Sequence, residues 1–479
     1  MKVVQLLGLL LFVMSLGVGD DLDGMMPASD STGRTGDADV VLAKVGDREI
    51  TVRDFLERAE YTIRAPYCKG SSNVEKNIVL NTLIAEKLLA IEADQHSALT
   101  KSPGFRDFLA GRKEQKMREL LYQSEGERKV RLDTSEIQRV YSVAGRTYRI
   151  ECHPANTARR DSVPEWEVGW STHIDRPVHR ALFSGPLKKN QVLGPFRLGD
   201  TTDVLIKIKG WKDRVAVTQT AVTTQYNDVV GELTRVKADS IYERYARKVM
   251  GKKTLNFDTE TFNRLTKVLV PLYTNRPKKA EDEFLQSTYG RKVETPTLAG
   301  NEYAAIQGLP ILSIDGKKWT VQDLMREVDR HPLVFRRANR TDKFASQLRL
   351  AIVDLIRDKY LTAEAYKKRY DHHKAAVHYE QSWRDASIAM FERDNILKGA
   401  SADSANPGRV IEGLLNSYVT GLLRKHSDEI AVNVDAYDKI ALSRIDMFTT
   451  QADVPYPIYV PAFPDLTTYN RLDYGRKMN

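Results

Sequence analysis

Apolar and polar positions change their period several times along the chain, and each change marks an element. Val41-Leu42-Ala43-Lys44-Val45 alternates loosely as a short strand, and Gly46-Asp47 supplies a turn. Thr51 with Asp54 three residues on is a carboxylate variant of the capping box, so a helix is expected to start there. Ile78, Leu80, Leu83, Ile84, Leu88 and Ile91 recur at helical spacing and predict a long amphipathic helix. Ser102-Pro103 places a cap and a first-turn proline ahead of Phe105, Phe108, Leu109, Met117, Leu120 and Leu121. Asp133 opens a further helix by the same logic. Between about 145 and 215 proline, glycine, tryptophan and β-branched residues rise, and Val204 to Lys209 reads as a strand. Helical texture returns from about Thr218 to Met250. The short strand Leu255-Asn256-Phe257 and a helical turn near Phe262 and Leu265 follow.

The opening pattern then comes back. Val45-Gly46-Asp47-Arg48-Glu49-Ile50-Thr51-Val52-Arg53-Asp54-Phe55 recurs, one residue shorter, as Asp315-Gly316-Lys317-Lys318-Trp319-Thr320-Val321-Gln322-Asp323-Leu324. Leu83 to Ala93 recurs as Leu355 to Ala365. The offset is 269 at Thr51 and Thr320, and 272 at Lys87 and Lys359. Strand, turn, cap and helix face repeating in one order imply a tandem duplication. Leu255-Asn256-Phe257 also resembles Ile430-Ala431-Val432, which follows a helix at about 408–426. Lys87 to Leu255 spans 168 residues and Lys359 to Ile430 spans 71, so the first copy is longer by 97. That excess approaches one small domain. The expected organisation is therefore one helical module from 40–144 with 216–270, an insert at 145–215, a linker at 271–304 and a second module at 305–446.

The ends differ from this middle. Lys2, an apolar run from Val3 to Leu16, and Gly17 and Gly19 before Asp20 read as a secretory signal over 1–19. Left uncleaved, the same segment would be an N-terminal anchor. Residues 20–39 form an acidic, Gly/Ser/Thr-rich leader. The segment 447–479 is rich in proline and aromatic residues, as in Val454 to Pro464, and is expected to run extended. Two readings of it stand open: a strap over the second module, or a docking peptide that acts as a self-ligand in a binding groove.

Composition narrows the functional classes. The chain has 479 residues, 42% hydrophobic and 29% charged, which suits several globular domains and excludes a polytopic membrane protein. Its formal net charge of +9 allows an anionic partner or peripheral contact with a membrane. Basic residues are interleaved with acids, as from Arg112 to Arg118, so nucleic acid is not an expected partner. The two cysteines, Cys68 and Cys152, form no metal-ligand spacing. Cys152-His153 suggests a nucleophile beside its base, but adjacent residues on a strand point to opposite faces. His372, His373, His378 and Glu380 lack metal-ligand spacing and read as a solvated helix face. No metal and no cofactor are expected, and GxxxxGK[ST] is absent.

A strand ending Val-Gly-Asp, then Ile-Thr-x-x-Asp-Phe, then Leu-Ile-x-Glu-Lys-Leu-Leu with Glu-Ala beyond, resembles the N-terminal chaperone domain of SurA/PrsA-type parvulin chaperones. Trp166 to Trp170, Ala181 to Phe183, Leu187 to Pro195 and Val204 to Ile208 are similar to the second half of a parvulin domain. The resemblance implies a mainly α protein with a small α+β insert: two tandem helical modules, the first carrying a truncated parvulin-like domain. It maps the first parvulin histidine to His153, beside Cys152, and the second to Val204. It maps the glycine of a Lys-Gly-Glu-Val turn to Asn190. Trp166, Trp170 and Phe183 are the implied substrate-binding side chains.

With one histidine missing, the resemblance implies a periplasmic or otherwise exported chaperone for unfolded or nascent envelope and outer-membrane proteins, without isomerase activity. An active peptidyl-prolyl isomerase, lowering the barrier of about 18–20 kcal/mol to rotation of the peptide bond, is one alternative. A dedicated envelope-assembly scaffold is the other.

Overall fold

The computed structural model describes residues 38–94, 96–155, 165–172, 174–198, 202–274, 301–335, 343–398, 411–442 and 458–478. The expected signal segment, nearly all of the leader and most of the linker lie outside them. In chain order the elements begin with β1 (Val41–Val45), β2 (Arg48–Thr51), α1 (Val52–Glu60), α2 (Asn73–Ala93) and α3 (Pro103–Glu125). Next come α4 (Thr134–Ala144), β3 (Arg146–Pro154), β4 (Glu165–Val168), α5 (Arg176–Phe183), β5 (Val192–Leu198) and β6 (Thr202–Asp213). The long α6 (Gln219–Met250), β7 (Leu255–Phe257), α7 (Thr259–Thr274), β8 (Pro310–Ile314), β9 (Lys317–Thr320), α8 (Val321–Arg330) and α9 (Phe344–Lys367) follow. Last are α10 (Lys374–Lys398), α11 (Asn416–Lys425), β10 (Ile430–Val432), α12 (Val434–Asp438) and β11 (Arg476–Lys477). The fold is mainly helical with small sheets, and among the described residues no helix is long and apolar enough to cross a membrane.

The chain divides into two compact units, the smaller spanning Gly126–Ile241. It is wider than the 145–215 insert, because α4 and most of α6 belong to it. In the larger unit the two related hairpins fold alike. Each turns on a left-handed glycine, Gly46 at φ 57° and Gly316 at φ 78°. Each feeds a helix through a reciprocal capping box, Thr51 with Asp54 and Thr320 with Asp323.

The strand that completes each hairpin is the one the linear order assigns to the other. β10 pairs antiparallel with β1, Ala43 opposite Val432 and Val45 opposite Ile430. β7 pairs antiparallel with β8, Leu255 opposite Ile314 and Phe257 opposite Leu312. The sheets therefore run β11-β10-β1-β2 and β7-β8-β9. One core joins Leu42, Phe55 and α2 to Val419, Val432 and Leu466, from both ends of the described chain. The other is contained between Phe262 and Ile356. Sequence order alone put 255–257 with the first hairpin and 430–432 with the second. Both are three-residue apolar strands, so either fits either exposed edge.

Helix α2 also departs from expectation. It is buried on nearly every face from Lys76 to Ala90 rather than amphipathic. Its polar residues are buried because they have partners: Lys76 Nζ donates to the carbonyls of Tyr437 and Ile440, both at 3.1 Å. Helix α3 works similarly toward the second core. Glu114 accepts from Arg330 at 2.5 Å and from the Tyr366 hydroxyl at 2.9 Å, and lies 2.7 Å from His331 Nε2. Arg118 donates to Thr362 Oγ1 at 2.9 Å. Gly111 is where α3 approaches the end of α8: a Cβ there would stand 2.1 Å from the Arg330 carbonyl oxygen.

Candidate functional site

The smaller unit holds the residues that the sequence singles out. Its antiparallel sheet has the order β4-β3-β6-β5. On β3, Tyr148, Ile150 and Cys152 point to one face, and the register brings Trp166, Ile208 and Ile206 beside them. Helix α5 covers that face with Val178, Leu182 and Phe183. Trp170 meets Phe183 edge-on at 5.3 Å between ring centroids. His179, one turn before Phe183, closes the group at 5.2 Å from Trp170 and 4.8 Å from Phe183. Its Nε2 lies 2.8 Å from the Trp170 carbonyl, and burial holds the imidazole below its ordinary value, hence neutral. Trp170 and Phe183 thus share one ring cluster with His179, and Trp166 packs against the same core. Phe183 is only 2% exposed, so it packs as core.

His153 and Cys152 part company across the sheet. Cys152 faces the apolar side, where burial pushes its thiol up to about 11, far from a thiolate nucleophile. His153 shares the other face with Glu151, its Nε2 3.2 Å from Glu151 Oε2, and Lys209 Nζ donates to Glu151 Oε1 at 2.8 Å. Val204, where the resemblance places a second histidine, is fully buried in β6. Asn190 takes the left-handed φ of 64° that a turn glycine would take, and its N–H donates to the Ile208 carbonyl at 2.7 Å. The imidazole in contact with the tryptophan–phenylalanine pair is therefore that of His179, not His153. Its signal was present in the sequence: His179 and Phe183 lie four apart on one helical face.

A second constellation lies in the larger unit. Residues 458–478, without helix and with a left-handed residue at Asp465 (φ 42°), lie over the core built on the first hairpin. Ala389, Val419 and Val432 from the 305–446 segment also contribute to that core. Phe463 and Leu466 are buried in it, and Val460 is buried beside Tyr459. The residues 454–457 of the proline-rich stretch lie outside the described chain. Side chains of the groove donate to main-chain carbonyls of this strap. Tyr379 donates to Tyr459, Arg58 to Ala462 at 2.6 Å, and Arg393 to Pro464 at 2.9 Å. The Asn81 amide serves Tyr469 and Arg471 at 2.6 and 3.0 Å, and Asn77 serves Asn470 at 2.9 Å. The Tyr459 ring stacks on Trp383 at 5.4 Å, with the Arg112 guanidinium 4.8 Å from its centroid.

The donors are held from behind. Glu86 receives both Arg58 amino groups, at 3.2 and 2.6 Å, and also pairs with Lys87 at 3.3 Å. Lys87 continues to Asp385 at 3.1 Å, where Arg48 joins at 3.3 Å. Burial pulls the Lys87 ammonium down, but Asp385 and Glu86 outweigh it and hold it above its ordinary value. His378 is not on a solvated face: its Nε2 lies 2.8 Å from the capping carboxylate of Asp54, while Glu380 pairs with Lys113 at 2.8 Å. Among the described residues no group of His, Cys, Asp and Glu could hold a metal.

Glu57 on α1 gives this region a pH signature. Burial pushes its carboxyl up to about 7, opposed by Lys116 and reinforced by Asp54. A raised carboxyl means that the folded state holds its proton where the unfolded chain has released it. Stability from this group is therefore complete below about 4.5 and lost as pH rises toward 7. Glu57→Gln should raise the Tm at pH 8 by on the order of 5 °C and leave it nearly unchanged at pH 4. Thermal melts of both proteins at the two pH values check this, and an equal shift at both would refute it.

No family model matches the chain, and neither does any curated protein or solved structure.

Proposed function

We propose that the protein is an exported holdase chaperone that binds unfolded envelope or outer-membrane polypeptides and does not turn over a prolyl bond. The observation that carries this reading is an apolar surface beside the sheet of the smaller unit. Val215 and Val217 are 75% and 87% exposed and Tyr226 is 47% exposed. They belong together: the Arg214 N–H donates to the Gly145 carbonyl at 2.8 Å, and Gln225 donates to the Tyr141 carbonyl at 3.4 Å. The loop and the start of α6 thus meet at the end of α4. Apolar side chains left in water are worth about 25 cal/mol per Å² to any partner that covers them. The closed Trp170–His179–Phe183 cluster and the buried Val204 support binding without isomerisation.

The test is suppression of aggregation of a denatured protein, run beside refolding of a proline-limited one. Suppression should saturate near one chain per client. Val215→Asp with Val217→Asp should weaken it by about tenfold, the loss expected when two exposed valines no longer offer apolar area for a client to cover. Accelerated refolding at substoichiometric amounts would instead make the protein an isomerase. Undiminished suppression by the double variant would move the binding surface elsewhere.

A further inference from the structure

The strap over the first core is held in an unusual way for a structural segment. Residues 460–466 belong to no helix or sheet. Their recognised polar atoms are mostly carbonyls, which every polypeptide carries at every residue, with Asp465 Oδ1, 3.4 Å from the Tyr67 hydroxyl, as a side-chain exception. Pro461 and Pro464 have no N–H to offer, and the groove presents donors to match. Arg58 is 4% exposed and already paired with Glu86, so its orientation toward the Ala462 carbonyl is fixed by the core rather than by the strap. Asn81 is likewise fully buried in α2 with its amide aimed at the strap. Side-chain selection rests chiefly on two rings four apart, Tyr459, half-buried between Trp383 and Arg112, and Phe463 in the core, with the buried Val460 and Leu466 as apolar positions beside them.

We propose that residues 458–466 are a displaceable internal ligand, and that their groove accepts extended segments of other polypeptides bearing two aromatic residues at this spacing. The inference rests on the reading of the protein as a binder of unfolded chains. It adds a second site to that reading, one that the strap occludes until a competing segment displaces it. Selectivity comes from the two rings and from the small or apolar residues that fit between them, as Val460 and Pro461 do, while the carbonyl contacts themselves read no side chain. A segment with proline between the rings loses nothing in this groove, because no N–H of residues 460–466 is needed by a sheet partner.

The probe is a labelled synthetic peptide of residues 458–468, titrated by fluorescence anisotropy into the full chain. The partner protein is Tyr459→Ala, which removes the half-buried ring and leaves Phe463 and Leu466 to hold the core. The peptide should bind Tyr459→Ala about tenfold more tightly than the unaltered chain, since the stacked ring is the competing contact. A peptide with alanine at both aromatic positions should bind neither protein. Equal binding to the two proteins, or binding indifferent to the peptide's rings, overturns the proposal. Hydrogen exchange of the unaltered chain with excess peptide gives an independent readout: Thr468, whose N–H donates to Asn416 Oδ1 at 2.9 Å, should exchange faster if the strap lifts, and unchanged exchange also counts against it. Aggregation suppression measured in parallel separates the two readings. Peptide binding as expected with no suppression leaves this groove standing and sinks the chaperone. Suppression that is equal for both proteins, with no peptide binding, does the reverse.

Discussion

Replacing Glu86 by leucine should cost about 3–5 kcal/mol of stability, read as a shift of the urea midpoint at unchanged slope. Glu86 is fully buried in α2 and receives both amino groups of Arg58 together with Lys87. Leucine fills much of the same volume, so little of the cost is a cavity. What remains is a buried guanidinium with only the Ala462 carbonyl as acceptor, and a Lys87 that keeps Asp385 alone. Leaving one buried ion without its partner is far more expensive than removing both. Arg58→Met with Glu86→Leu should therefore recover most of the loss, with a coupling energy of about 2–3 kcal/mol between the sites. Recovery should fall short of complete, because the Ala462 carbonyl loses its donor in the double variant. A single-variant cost below about 1 kcal/mol would show that the pair is solvated and that Arg58 is not fixed by it.

Trp383→Ala should be comparably severe, about 3–5 kcal/mol. The indole stacks on Tyr459 and meets Phe108 edge-on at 5.8 Å, and Arg112 lies 4.7 Å from its ring. It packs with Phe105, Leu109 and Ile388 in one small core. Truncation opens a cavity there and removes the plane on which the strap is laid. Trp383→Phe keeps a ring in place and should cost less than half as much. Chemical denaturation of the three proteins decides the matter, and equal costs for alanine and phenylalanine would assign the effect to something other than stacking.

Local features of this fold were legible because their physics is local. The turn at Gly46, the reciprocal cap of Thr51 and Asp54, and their repetition at Gly316, Thr320 and Asp323 each need only a few neighbouring residues, and the structure contains all of them. Pairing between distant strands is a different problem. Leu255-Asn256-Phe257 and Ile430-Ala431-Val432 each offer three residues to an open hairpin edge, and neither carries a turn or charge that names its edge. Helix α2 hides its burial for a related reason. Lys76, Asn77, Asn81, Glu86 and Lys87 look like a wetted face when counted along the helix. Most of them meet carbonyls or charges contributed from the far end of the chain. At the candidate site the opposite faces of Cys152 and His153 follow from strand alternation and were readable. The closure of Trp170 on His179 and Phe183 depends on where α5 lies on the sheet, and no spacing in the sequence encodes that.

The pairing of Ala43 with Val432 also has a consequence in time. A chain that emerges from its amino end presents the first hairpin and α2 long before β10 exists. That core must wait, with Leu42, Phe55 and the buried ions of α2 exposed, until almost all of the chain has followed. The second core needs only residues between about 255 and 360 and can close while the last part is still arriving. Loop-closure entropy imposes the same order on refolding from denaturant, since contacts between near residues are reached first. The oldest part of the nascent chain is thus the last to become native, and for that interval the protein is itself an unfolded polypeptide in need of shelter.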